Sequence, residues 1–159
     1  MPPPLLVDLS KIDMNRIELP IEEVRKYNAH RYEMEQLSGV IHVDREKRVA
    51  VGFKDVRSDE FWVRGHIPGR PLMPGIVMME AAGQLCALLY KVAISNLPGT
   101  FLGFGGMNNV KFRRTVVPGE KLILLAHCTD ERLRRVVFDT QGLVGGQFVF
   151  EGQIIGMPV

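Results

Sequence analysis

A chain of 159 residues fits one domain, large enough to bury about 70% of its unfolded surface, so neither metal nor disulfide is needed to hold it. The net charge is +2, and residues 61–159 hold 10 Lys/Arg against 6 Asp/Glu. That balance is too mild for a nucleic-acid partner, and no basic motif interleaved with aromatics accompanies it. Cys86 and Cys128 read as small reduced core residues. The start, Met1-Pro2-Pro3-Pro4-Leu5, lacks the basic opening and long apolar core of a secretory signal, so a cytoplasmic location is expected.

In chain order, residues 1–29 read as an N-terminal extension, within which Leu19–Tyr27 predicts a short helix begun by Pro20. The domain proper is expected over 30–159. From His30 the pattern turns to short strands, and Arg48–Val56 alternates with period two. A long helix follows over Pro74–Ser95. Its apolar residues lie around nearly every side, which predicts burial on all sides. By length it approaches a membrane span, but Glu80, Gln84 and Lys91 and its single occurrence argue against one. Beyond Leu97-Pro98-Gly99, strands are predicted over Thr100–Phe104, Asn109–Val117, Lys121–Thr129, Leu133–Gln141 and Gln147–Ile155. Pro118-Gly119 and Asp130–Arg132 read as hairpin connections, and Gly142 and Gly145-Gly146 as turn or bulge signals.

Short connections favour antiparallel neighbours. One helix that must be covered and one sheet that must cover something are satisfied together if the sheet curls around the helix, an α+β architecture. Such a sheet is open on one side, and pairing with a second copy would cover its edge. A homodimer is expected.

Chemistry concentrates around the start of the long helix. Glu80 is a carboxylate in a largely apolar helix, and a carboxylate withdrawn from water requires a partner or a task. Pro74 and Gly75 stand where the helix begins, so the Gly75 N–H lacks an intrahelical partner and lies at the positive dipole end. A carbonyl oxygen gaining negative charge is stabilised by such a group, although a plain Pro-Gly turn is the alternative. His66 lies in a glycine- and proline-rich loop, and imidazole can take or return a proton near neutrality. Base, acid and oxyanion donor together form a proton-transfer site beside a carbonyl. Spacing leaves open whether His66 and Glu80 meet within one subunit or across two. His30, His42 and His127 have no metal-ligand spacing.

The run from Gly65 to Gln84, GHIPGRPLMPGIVMMEAAGQ, resembles the signature of the 3-hydroxyacyl-acyl carrier protein dehydratases of bacterial fatty acid synthesis, which have the hotdog fold. Gly106–Leu122 resembles a later strand and turn of the same family. The likeness runs from about His30 to the end. It implies an antiparallel sheet wrapped around one central helix, a dimer with two sites at its interface, and in many members a trimer of dimers. Each site would use His66 of one subunit and Glu80 of the other, with the Gly75 N–H on the thioester carbonyl and Gln84 orienting the carboxyl. Gln84 equally fits a satisfied core amide. The resemblance implies no cofactor and no metal, and an acyl carrier protein as partner. Arg70, Lys111, Arg113 and Arg114 are candidates to steer that acidic partner, with a solvated face as the alternative. Glu33–Gly39 and Ile67 depart from the family pattern and bear on acyl-chain preference. A thioester hydrolase on the same fold and a noncatalytic acyl-binding module are the competing readings.

Overall fold

The period-two segments become strands of one seven-stranded sheet in the computed structural model, which describes residues 3–95 and 97–159. In chain order these are β1 Leu19–Pro20, β2 Gly39–Asp44, β3 Val49–Asp55, β4 Leu102–Phe112, β5 Lys121–Arg132, β6 Arg135–Val144 and β7 Gln147–Pro158. The spatial order is β1-β2-β3-β5-β6-β7-β4, and every neighbouring pair is antiparallel; short connections account for β2–β3, β5–β6 and β6–β7, while β1–β2, β3–β5 and β4–β7 are joined through longer stretches of chain. The β6–β7 hairpin turns on Gly145 and Gly146 at φ 56° and 77°, the left-handed backbone that a two-residue turn of this hand needs.

The long helix, α2 at Gly75–Ala93, lies along the inner face of the sheet and contributes Met78, Met79, Leu85, Leu88 and Leu89 to the main core. By length and composition it would also pass as a membrane span, but its apolar residues are spent on that core. An antiparallel sheet wrapped around one long helix is the hotdog fold. Cys86 and Cys128 are both buried and free, matching their reading as small core residues, and Trp62 is buried as well.

Several boundaries differ from the sequence expectation. The helix over Leu19–Tyr27 shrinks to one turn, α1 at Ile21–Val24, because Leu19 and Pro20 are taken into pairing with β2. The two strands expected over Thr100–Phe104 and Asn109–Val117 are one continuous β4, whose pairing with β7 shifts between Phe104 and Gly106 and again between Asn108 and Lys111. The glycine-rich middle of that strand bulges instead of ending it. The β5–β6 turn is Leu133-Arg134, beyond Asp130–Arg132, since Arg132 still pairs with Arg135.

The N-terminal residues do not hang free. Leu6, Val7, Leu9, Ile12 and Met14 pack on a second apolar cluster formed by Ile41, Val51, Phe53, Leu125 and Leu143. Gln141 clamps this strap by accepting from Leu6 N at 2.9 Å and donating through Nε2 to Pro4 O at 2.9 Å.

Candidate active site

Along α2 the residues Ile76, Glu80, Gly83, Ala87 and Lys91 recur at intervals of three or four, hence on one face, and none of them is buried. Both the all-round burial expected of this helix and the expected burial of Glu80 are therefore corrected. The sheet covers the other faces and leaves this stripe as the floor of a groove between β4 and residues 27–36. Three adjoining cavities of about 370, 250 and 430 Å³ run along it. Glu80 and Phe104 belong to the first two, and His30, Ala87 and Leu102 to the second and third. The first is walled chiefly by Met34, Phe61, Ile76, Val77, Met79 and Met107, an apolar lining around the carboxyl group.

Glu80 is held by one oxygen. Gln84, one turn further along α2, donates from Nε2 to Glu80 Oε1 at 2.9 Å and to Met34 O at 2.7 Å. Gln84 Oε1 in turn accepts from Gln36 N at 2.8 Å and Leu37 N at 3.2 Å. The amide is thus saturated, and it both orients the carboxyl group and fastens the preceding segment to the helix. His30 approaches the same oxygen, with Nε2 at 3.7 Å from Oε1. Sequence reasoning did not single out His30, Asn28 or Met34 for the site. Each lies about 50 residues from Glu80 in the chain, and no local period announces such a contact.

His66 lies on an exposed loop between β3 and α2. The loop is built on backbone bonds, from His66 N to Trp62 O at 2.8 Å and from Leu72 N to His66 O at 2.9 Å. Its Nδ1 lies 2.7 Å from Leu72 O. A carbonyl only accepts, so Nδ1 carries the proton and the neutral ring presents the Nε2 lone pair, the form a general base requires. His66 lines neither cavity that contains Glu80.

Gly75 opens α2 after Pro74, whose side chain offers no cap to the first turn. A Cβ at this position would come within 2.7 Å of the Phe112 ring, so glycine permits a half-exposed aromatic from β4 to lie against the helix start. Beneath the loop, Lys54 Nζ and Glu60 Oε1 form an ion pair of 2.7 Å with side chains 1% and 4% exposed. Burial pushes the Lys54 ammonium below its usual range, and the Glu60 carboxylate opposes that shift. Of the four basic candidates, Arg113 pairs with Glu151 at 2.7 Å and Arg114 with Glu120 at 2.6 Å. Arg70 and Lys111 are exposed, and so is Arg64 beside the His66 loop.

The model of the FabA-like domain matches residues 28–153, most of the chain. The chain belongs to the FabA-like family. A 3-hydroxyacyl-[acyl-carrier-protein] dehydratase of Albidiferax ferrireducens is 34% identical over 143 residues, covering 89% of this chain and 95% of that protein. Among solved structures, the dehydratase heterocomplex ApeI:P from Xenorhabdus doucetiae aligns with a TM-score of 0.55 at 24% identity, over 74% of this chain and 96% of that one. Cj0977, a sigma28-regulated virulence protein from Campylobacter jejuni, aligns with a TM-score of 0.63 at 21% identity, over 87% and 89%. These two likenesses bear on the fold; membership rests on the domain match and the Albidiferax relative.

Proposed function

We propose that this chain dehydrates 3-hydroxyacyl thioesters borne on acyl carrier protein to trans-2-enoyl thioesters, as a step of fatty acid or related lipid synthesis. The observation that carries the proposal is a carboxyl group fixed through one oxygen by a saturated amide, in an apolar groove about 7.5 Å along the axis from the first N–H of α2. Family membership gives that arrangement its reaction class.

The Gly75 N–H receives the thioester carbonyl oxygen and stabilises charge as the proton on C2 is drawn away. His66 Nε2 takes that proton. Protonated Glu80 delivers its own to the hydroxyl on C3, so the C3–O bond breaks, water leaves and the C2–C3 double bond forms. The acyl chain lies along the α2 groove. Because His66 lines neither cavity holding Glu80, a second protomer supplies the base, and β4 is the edge that would pair with its counterpart. A homodimer, assembled further into a trimer of dimers, in the cytoplasm, completes this reading, with 1–29 as an extension of the 30–159 domain. Arg64, Arg70 and Lys111 steer the acidic carrier.

Incubation with short 3-hydroxyacyl and trans-2-enoyl thioesters, followed by absorbance of the conjugated enoyl thioester, tests the reaction. Reversible hydration is expected; release of free thiol instead would make the chain a hydrolase. His66→Ala and Glu80→Ala should each lose at least about a hundredfold in kcat while keeping the wild-type melting transition. Mixing and reassembling the two inactive variants should restore about a quarter of wild-type turnover, since half of the dimers regain one intact site of two. No recovery on mixing would place both residues in one subunit.

A further inference from the structure

The loop that carries His66 has little packing of its own. Between Val56 and Met73, both buried, the chain buries Glu60 and Trp62 and leaves the other residues exposed or half-exposed. An indole belongs in a core, but a carboxylate does not, and an apolar pair in place of Lys54 and Glu60 would hold the fold about as well. Glu60 nevertheless connects the sheet to the loop. Its Oε1 meets Lys54 Nζ on β3 at 2.7 Å, its Oε2 accepts from Arg57 N at 2.8 Å, and its backbone O accepts from Val63 N at 3.1 Å. The next link is Trp62 O, which accepts from Gly65 N at 3.2 Å and from His66 N at 2.8 Å. On the far side Leu72 N donates to His66 O, Leu72 O lies 2.7 Å from His66 Nδ1, and Met73 N donates to Val116 O at 2.8 Å. The imidazole is thus set from two sides, one by backbone bonds and the other by a carboxylate clamped between strand and loop.

We propose that Glu60, held by Lys54, is a positioning residue that sets the reach of the His66 base toward the acid of the second subunit. The proposal rests on the dehydratase reading above. Proton transfer requires the imidazole within hydrogen-bond reach of its target, and a misplacement of about 1 Å can cost about a hundredfold in rate. A loop with so little buried apolar surface does not hold that tolerance by packing. The ion pair holds it, because directional bonds fix the carboxylate with both side chains almost out of water. The pair therefore serves the reaction more than the stability of the fold.

Lys54→Met with Glu60→Leu removes the clamp and leaves no buried charge behind. Its melting temperature should stay near wild type while kcat falls at least about tenfold. KM should change less than about threefold, since His66 lines neither cavity around Glu80. Mixed dimers then show which half of the site is impaired. Reassembled with Glu80→Ala, the double variant should regain about a quarter of wild-type turnover, because half of the dimers combine an intact loop with an intact carboxyl group. Reassembled with His66→Ala, it should regain nothing beyond its own residual rate. Glu60→Asp keeps both charges but is too short to span Lys54 and Arg57 N together; it should show the same pattern and guards against misfolding of the double variant. Unchanged kcat in both variants overturns the proposal and leaves the dehydratase reading standing. So does the reverse pattern of recovery, which would place the defect in the groove through Phe61, a neighbour of Glu60 that lines the Glu80 cavity. If His66→Ala and Glu80→Ala do not complement each other, the two-subunit site falls, and the kcat and KM of the two variants alone decide the proposal. A wild-type chain silent toward both 3-hydroxyacyl and enoyl thioesters overturns the dehydratase reading and the proposal together.

Discussion

Gln84 is 2% exposed and satisfies four polar groups at once, two of them backbone N–H groups in the segment beside the helix. Gln84→Leu leaves those donors buried and unpaired, and should cost about 2–4 kcal/mol in urea unfolding in addition to the lost orientation of Glu80. The Lys54–Glu60 pair has a different logic. Two buried charges attract strongly but were costly to desolvate, so removing one is worse than removing both. Glu60 also accepts from Arg57 N at 2.8 Å, and Val63 N donates to Glu60 O, which ties the pair to the stretch leading to Trp62 and His66. Lys54→Met should therefore lose about 3–5 kcal/mol of stability, and Lys54→Met with Glu60→Leu should recover most of it. A double variant as unstable as the single one would contradict this. At Gly75, adding a methyl group drives it into the Phe112 ring; Gly75→Ala should lower kcat by displacing the helix start, with a smaller effect on stability.

At the scale of elements, the strands were legible because alternation survives in sequence whether or not the partner strand is known. The alternation over Arg48–Val56 overshoots β3, Val49–Asp55, by one residue at each end, and β5 to β7 were placed within a few residues. It divided β4 around Gly105 and Gly106, which fall between the two expected strands, whereas pairing to β7 carries the chain past them. The hidden part of the site has the same origin. His66, Gly75, Glu80 and Gln84 fall in one stretch of 19 residues and could be read together. His30 reaches Glu80 only through the fold of residues 27–36 across α2, which local spacing does not encode. The N-terminal strap was likewise unreadable, since its five apolar residues acquire meaning only against the outer sheet cluster. Deleting residues 1–14 uncovers Ile41, Val51, Phe53, Leu125 and Leu143; the shortened chain should show a lower urea midpoint and a tendency to self-associate, measured by light scattering. An unchanged midpoint would mean that the strap contributes no packing energy.

For the whole molecule, the sheet ends in two unlike edges. The β1 edge is two residues long, while β4 offers eleven residues and, near it, the exposed apolar side chains of Ile76, Phe104, Met107 and Phe112. A short edge resists pairing and a long apolar one invites it. If β4 is the seam between two copies, unfolding couples to dissociation, and the urea midpoint should rise with protein concentration over the micromolar range. A concentration-independent midpoint, with a monomer in sedimentation, would remove the seam.

The stripe of small residues on α2 has a consequence for which molecules the protein accepts. Gly83 and Ala87 are four residues apart, about 6 Å of helix rise, along the floor where a hydrocarbon tail would rest, so the helix would work as a graduated rule. Raising a mark at Ala87 with phenylalanine should bar long tails and spare short ones; at position 83 even a methyl group meets Phe104 at 2.9 Å, and the limit should move one graduation nearer to the acid.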